Sequence, residues 1–324
     1  MPKFGWLAGC GQRSQTMMET KTAVFASGFV SILGRPNVGK STLMNALIGT
    51  KIAIVSNKPQ TTRTGIQGVL TLPEGQIVFV DTPGIHKAHS SLNKRMMASV
   101  REALGERDLL LYVADATAPF TTADREALDL VKKSDTPVFL VLNKTDLVKE
   151  KPSLLPLIER YRAAHDFTEF YPVSARRPEG LDELRAGIMA RLPEGPAYFP
   201  PDHITDQPER FLAAELIREK IIRATHEEVP HSVAVMVERW DEQPNITRIL
   251  ATIYVEKEGQ KGILIGAKGA MLKTVGTKAR EEMELLFGKK IFLELHVRAQ
   301  PNWRENKAFL NSLDWRTMAG TDES

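Results

Sequence analysis

Gly34-Arg35-Pro36-Asn37-Val38-Gly39-Lys40-Ser41-Thr42 forms a complete G-x-x-x-x-G-K-[ST] loop. Phe29 to Leu33 before it is an apolar, strand-like run, and Ser41 to Ile48 after it reads as a helix stopped by Gly49. A glycine-rich turn in that setting lets backbone N–H groups face inward around a polyphosphate. The helix N-terminus favours the same anion. Lys40 adds positive charge near the β and γ phosphates, and Ser41 offers a hydroxyl to Mg²⁺.

Working outward, apolar runs recur at Gln76–Val80, Leu109–Ala114, Val138–Leu142 and Tyr171–Val173. Amphipathic stretches such as Leu92–Leu104, Asp124–Lys132 and Leu181–Arg191 lie between them. The alternation predicts an α/β P-loop domain, with a mostly parallel sheet and helices on both faces. Ligands of such sheets sit beyond the carboxyl ends of the strands, where the motifs below fall. Pro193 to Pro208 holds five prolines and Gly195, and reads as a linker. After it, Glu209–Thr225 reads as a helix, and Ser232–Trp240 and Ile246–Glu256 as strands. Lys261–Phe287 reads as two helices broken near Gly266 to Gly269, and Ile291–Val297 as a last strand. That order predicts a small α+β module. The expected division is a flexible extension at 1–26, a first domain at 27–192, a linker at 193–208, a second domain at 209–310 and a tail at 311–324. The extension also admits a second reading, as a non-native addition with the true start at Met17 or Met18.

The 324 residues suffice for about two domains. With 43 Lys and Arg against 40 Asp and Glu, total charge identifies no polyanion binder, so local charge must decide. A lone cysteine, Cys10, excludes an internal disulfide framework and fits a reducing compartment. No apolar run approaches the ~20 residues of a membrane span.

Asp81-Thr82-Pro83-Gly84 follows the strand ending at Val80. Asp81 is expected to hold Mg²⁺ through water, while the segment to Ile85 borders the γ phosphate. Asn143-Lys144-Thr145-Asp146 follows the strand ending at Leu142. Asp146 can accept hydrogen bonds from guanine N1–H and N2–H₂, a donor pair adenine lacks. Lys144 can lay its stem over the base, and Asn143 can brace neighbouring loops. The backbone N–H groups of Ser174 and Ala175 are placed to meet guanine O6. In the loop between the phosphate loop and Asp81, Gln60-Thr61-Thr62-Arg63, a threonine can join Mg²⁺ as a mobile switch. Thr62 is favoured, with Thr61 as the alternative. This ordered set resembles translation-factor-type GTPases. Where Ras-type GTPases carry a water-orienting glutamine, this chain has Ile85 and then His86. Isoleucine cannot orient water by hydrogen bonding, so intrinsic hydrolysis is expected to be slow, on the order of 10⁻³ s⁻¹. His86 reads as a solvated loop residue, with a role as base the alternative. Asn37 is a candidate K⁺ ligand beside the phosphates, or simply a residue that suits the turn.

In the second domain, Gly266-Ala267-Lys268-Gly269 sits between helical segments. Such a loop can press against a sugar–phosphate backbone, with bases packing on the apolar edge at Ile263 to Ile265. From Lys257 to Arg280 six cations, Lys268 and Lys273 among them, face one anion, Glu258. That concentration is the footprint of single-stranded nucleic-acid binding. The following Glu281-Glu282 and Glu284 read as a solvated helix face.

Gly34–Thr42, Gln60–Arg63, Asp81–His86, Asn143–Asp146, Ile265–Gly269 with Met271-Leu272-Lys273, and Ile291–Val297 with Trp303-Arg304 together resemble the Era GTPases. The resemblance runs from about Gly28 to Asp314. It implies a GTP-hydrolysing switch with a type II KH domain that binds the 3′ end of 16S ribosomal RNA during 30S subunit maturation. It also implies a cytoplasmic protein peripherally associated with the inner membrane; a monomer is expected. The alternative is a GTPase whose last domain binds another RNA, a protein or a membrane.

Overall fold

The structure is a computed structural model that describes residues 25–85 and 90–314. His86, residues 1–24 and residues 315–324 lie outside the described residues, and so do the expectations for His86, for most of the extension and for most of the tail.

Six strands build the first domain: β1 (Ala26–Leu33), β2 (Ile66–Leu72), β3 (Gly75–Asp81), β4 (Leu109–Asp115), β5 (Val138–Asn143) and β6 (Glu169–Pro172). Their order is β2-β3-β1-β4-β5-β6, parallel throughout except for the β2–β3 hairpin at one edge. Five helices join them: α1 (Lys40–Ile48), α2 (Ser91–Ala103), α3 (Thr122–Val131), α4 (Leu154–Arg162) and α5 (Leu181–Met189). Strands covered on both faces carry continuous apolar runs, because each face needs its own core. Val30, Ile32, Phe79, Leu111 and Val141 pack under α1 and α5. Leu33, Leu110, Tyr112, Leu140 and Leu142 pack under α2, α3 and α4. The hairpin strand β2 had no clear apolar signature, since Gln67, Gly68 and Thr71 interrupt it at the sheet edge.

The proline-rich connector is strapped to the first domain. Gln76, fully buried, accepts the backbone N–H groups of Tyr198 and Phe199 at 2.8 and 2.9 Å and donates to the Phe199 carbonyl at 2.9 Å. Val69 N–H donates to the Ile204 carbonyl, and Thr205 Oγ1 donates to that of Gln67.

The second unit comprises α6 (Glu209–Ala224), a short α7 (Val229–Ser232), β7 (Ala234–Gln243), β8 (Ile246–Val255), α8 (Glu258–Ile265), α9 (Ala270–Phe287), β9 (Ile291–Ala299) and α10 (Lys307–Ser312). Its sheet runs β7-β8-β9, antiparallel and then parallel. One face is buried by Ala213, Ile217 and Ile221 of α6, Leu264 of α8, and Val275, Ala279 and Met283 of α9. The predicted α-β-β-α-α-β order is thus present, with α7 and α10 added. Glu282 and Glu284 correct the reading of a solvated face. Glu282 accepts Lys51 and Lys220, and Glu284 accepts the Ile291 N–H and Arg280, so only Glu281 stands in solvent. Local charge pattern could not reveal this, because two of the four partners come from distant segments.

Ile253 is fully buried at the centre of this core. Ile253→Ala should destabilise the second unit by about 2–5 kcal/mol, through lost transfer energy and the cavity left behind. Urea unfolding followed by circular dichroism checks this as a lower midpoint at unchanged slope.

Candidate nucleotide site and nucleic-acid interface

β1 ends at Leu33, and the loop turns back over its own lysine. Lys40 Nζ donates to the carbonyls of Gly34 and Arg35 at 3.2 and 3.0 Å. Gly39 takes φ +95° at the helix start, and a Cβ there would stand 2.3 Å from Asn143 Nδ2, so only glycine fits. Burial pulls Lys40 down to about 8, against the opposing charge of Asp81. Asp81, at the end of β3, is fully buried and pushed upward, first by desolvation.

Three hard oxygen donors converge here. Ser41 Oγ lies 2.6 Å from Asp81 Oδ2 and 2.9 Å from Thr62 Oγ1, and Thr62 Oγ1 lies 3.3 Å from the same carboxylate oxygen. Asp81 Oδ1 is buried without a hydrogen-bond partner. The structure brings Thr62 to this cluster and turns Thr61 away, since Thr61 Oγ1 bonds Ser56 Oγ and the Lys58 carbonyl, both at 2.7 Å. Pro36, Asn37, Gly39, Thr42, Ser56, Gln60 and Gly84 complete the walls of the cavity. Ser56 was not singled out in the sequence, because a polar loop residue carries no signal until the loop is folded, and Gln60 was named only as part of the Gln60–Arg63 stretch.

Two expected phosphate neighbours turn their side chains to other partners. Thr82 is fully buried and spends its hydroxyl on the Ile32 carbonyl at 2.8 Å. Arg35 points away from the loop's mouth, with Nε 2.8 Å from Asp124 Oδ1 and Nη1 donating to Thr121 Oγ1. Asp124 is itself buried and accepts Tyr161 Oη at 2.8 Å. Arg35 therefore anchors the loop on α3, and only its backbone can serve an anion. Val38 is buried in the core, Pro83 is buried, and Ile85 packs on the α2/α3 side while its N–H donates to the Gly34 carbonyl.

Asn143 joins three loops. Its Nδ2 donates to the Val38 carbonyl at 2.9 Å, and its Oδ1 accepts the N–H of Lys144 at 2.8 Å and of Ala175 at 3.0 Å. Lys144, at φ +69°, reaches the Asn37 carbonyl at 2.7 Å and Asp115 Oδ2 at 2.6 Å. Burial alone would raise the Asp115 carboxyl, but hydrogen bonds from Lys144 and Thr117 outweigh it and hold it low. Asp115 was missed in the sequence, where it is one more polar residue ending a strand. Ser174 Oγ donates to Asp146 Oδ1 at 2.7 Å and orients that carboxylate. The Ser174 N–H already serves the Glu179 carbonyl and the Ala175 N–H serves Asn143, which alters their expected part. A base oxygen would have to share the Ala175 donor, and Ser174 acts through its hydroxyl.

On the second unit, Gly266 (φ +70°), Lys268 (φ +52°) and Gly269 (φ +79°) turn the chain between α8 and α9. A Cβ on Gly266 would press to 2.8 Å from that of Met271. Ala267, Lys268 and Lys273 are exposed, Ile265 is half-buried, and α9 begins with its N-terminus at the loop. Beside it runs a groove lined by Leu272, Lys273, Gly276, Arg280, Leu293 and Leu295. The floor is apolar and the rim cationic, which suits stacked bases and a phosphate chain.

Comparison with known proteins agrees with this geometry. Residues 29–144 match the family model of a 50S ribosome-binding GTPase, and residues 228–304 match that of a KH domain. The chain is 49% identical to GTPase Era of Syntrophus aciditrophicus over 294 residues, 90% of this chain and 96% of that one. It is 51% identical to GTPase Era of Heliobacterium modesticaldum over 287 residues, 88% and 96% of the two chains. Its structure superimposes on that of a point variant of Aquifex aeolicus Era bound to GDP·AlF₄⁻ with a TM-score of 0.87, at 41% identity over 90% of this chain and 99% of that one. The same values hold for a structure of Era in complex with MgGDPNP and nucleotides 1506–1542 of 16S ribosomal RNA. The chain belongs to the Era family of GTPases.

Proposed function

We propose that this GTPase is a nucleotide-controlled RNA-binding switch that takes the 3′ end of 16S ribosomal RNA in the groove beside Gly266–Gly269 and assists assembly of the 30S subunit. The observation that carries the reading is the groove itself. An apolar floor between α9 and β9 meets exposed Lys268 and Lys273 at a positive-φ glycine loop. The Era complex with 16S ribosomal RNA supports it by similarity. The test is binding of an oligoribonucleotide of that 3′-end sequence to the full chain with GDP and with a non-hydrolysable GTP analogue. Unchanged affinity between the two states would remove the switch. Lys268→Glu with Lys273→Glu should weaken binding at least about tenfold and flatten its salt dependence, as expected for lost phosphate contacts.

In the first domain we assign Gly34 to Thr42 and Asp81 to Ile85 to the phosphates, and Asn143, Lys144, Asp146, Ser174 and Ala175 to the guanine. Mg²⁺ fits Ser41 and Thr62, with Asp81 acting through water. All the donors are oxygen, and the unpartnered Asp81 Oδ1 is a buried acceptor that a hydrated divalent cation would satisfy. When bound, the ion neutralises charge developing on the phosphates. Lys40 and the loop amides add to that, Asp146 selects the base, and Ser41 and Thr62 present their hydroxyls. Ile85 sits in an apolar contact and orients no water, so turnover by the protein alone stays slow, on the order of 10⁻³ s⁻¹. Asn37, held at φ +64° on the loop, is assigned as a K⁺ ligand, and equal rates in KCl and NaCl would remove that assignment. The protein acts in the cytoplasm as a monomer, and any contact with the inner membrane is peripheral. Among the described residues no helix is long and apolar enough to cross one.

Two further outcomes follow from the nucleotide site. Asp146→Asn exchanges an acceptor pair for an acceptor and a donor, so GTP affinity should fall by about 10²-fold or more while xanthosine triphosphate gains. Calorimetry with both nucleotides checks it. Lys40 titrates near 8 without ligand, and a bound polyphosphate must raise that value. Binding therefore takes up a proton above pH 8, and GDP affinity should be flat from pH 7 to about 8 and then decline toward pH 9. Proton uptake measured in buffers of different ionisation enthalpy would expose the sign.

A further inference from the structure

Thr62 is 7% exposed and carries the hydroxyl that meets Ser41 and Asp81. The residue on each side of it is tied to the second unit, Thr61 through its carbonyl and Arg63 through its guanidinium. Before it, the Thr61 carbonyl, which belongs to the peptide group joining Thr61 to Thr62, accepts Arg218 Nη2 from α6. After it, Arg63 leaves the first domain, donating Nη1 to the Val233 carbonyl at 2.7 Å and Nη2 to that of His231 at 3.4 Å. Its guanidinium lies 5.4 Å from the ring centroid of buried Trp303. The two ties cross the boundary in opposite senses and leave only Thr62 between them.

Arg218 is built for one pose. It is 2% exposed, and Glu215 grips its fork at 2.7 Å (Nε) and 2.6 Å (Nη2). A planar guanidinium held that way has a fixed donor left for the Thr61 carbonyl, which a lysine cannot reproduce. Burial, and then the neighbouring charge of Arg218, pull Arg63 down to about 9, and Glu215 opposes this. Two adjacent buried cations sharing one carboxylate are costly unless each keeps its carbonyl partners. The arrangement thus belongs to the docked state, and other contacts across the boundary, such as Ser91 with Glu305, involve neither Arg218 nor Arg63.

We propose that Arg218, a residue of the RNA-binding domain, is a positioning residue for GTP hydrolysis, because it holds the peptide carbonyl before Thr62 while the anchored side chain of Arg63 fixes the residue after it, and so presents the Thr62 hydroxyl to magnesium. The proposal rests on the assignment of Thr62 as a magnesium ligand made above. It makes the second unit part of the hydrolytic apparatus, as well as its output.

The test uses the full chain and four variants: Arg218→Lys, Arg63→Lys, Glu305→Ala and Thr62→Ala. The main reading is the Mg²⁺ concentration that half-saturates binding of a fluorescent non-hydrolysable GTP analogue. GDP affinity, single-turnover hydrolysis and affinity for the 16S 3′-end oligoribonucleotide are read beside it. Arg218→Lys should raise the Mg²⁺ requirement at least about fivefold and slow single turnover about tenfold, the scale of a lost charge-assisted hydrogen bond. GDP and RNA affinities should stay within about twofold, because neither depends on that bond. Arg63→Lys should act alike from the other side of the boundary, and it carries the test if Arg218→Lys does not fold. Glu305→Ala breaks a boundary contact made by neither arginine and should leave the Mg²⁺ requirement alone. An unchanged requirement in the folded lysine variants overturns the proposal, and so does an equal rise in Glu305→Ala, which would make docking in general responsible. If Thr62→Ala itself leaves the requirement unchanged, the magnesium assignment fails. If only Thr62→Ala raises it, that assignment stands and the role of Arg218 falls.

Discussion

Lys40, at the start of α1, and Asp81, at the carboxyl end of β3, place opposite charges side by side, both out of water. Burial pushes each toward its neutral form, Lys40 downward and Asp81 upward, and each only partly relieves the other. A polyphosphate beside the lysine and a divalent cation beside the carboxylate would restore both charges. The surrounding structure keeps this pair apart and oriented. The loop carbonyls of Gly34 and Arg35 hold the ammonium, and Ser41 and Thr62 hold the carboxylate. Arg35 locks the loop to α3 through Asp124, and Asn143 locks it to the loops after β5 and β6.

The boundary between the two units is built from the same material. Lys51, just after α1, meets fully buried Glu219 at 2.7 Å and also Glu282. Burial alone would raise the Glu219 carboxyl, but Lys51, the Val55 N–H and Lys220 hold it low. Arg223 donates to the Val55 carbonyl at 2.9 Å, and Lys58 to that of Thr225. The segment from Lys51 to Arg63 is therefore the wall of the nucleotide cavity on one side and the seat of α6 on the other. α6 and α9 share one core, so that segment seats the helix that packs against α9, one wall of the groove beside Gly269.

Much of this was legible in the chain. The phosphate loop between strand and helix, the Asp81 turn, the Asn143 tetrapeptide and the glycine break in the last helical pair all depend on local backbone geometry or on a short fixed spacing. Both-face burial made β1, β4 and β5 readable as apolar runs, whereas the edge strand β2 was missed because Gln67, Gly68 and Thr71 interrupt its apolar pattern. The choice between Thr61 and Thr62 stayed open in the sequence, since two adjacent hydroxyls differ only in which way the folded loop turns them. Nor could the sequence show that the Thr82 hydroxyl closes on Ile32, a strand away.

The order of residues along the chain was enough to specify a phosphate-loop turn, the Asn143–Asp146 tetrapeptide after β5 and a cationic glycine loop, because each is made within a few consecutive residues. Folding alone decided which side chains support them. Asp115 under Lys144, Asp124 under Arg35 and Arg218 beside Thr61 are separated in sequence by 29, 89 and 157 positions. A charge hidden from water needs a partner within hydrogen-bond reach, and at such separations no pattern in the chain says which residue that partner will be.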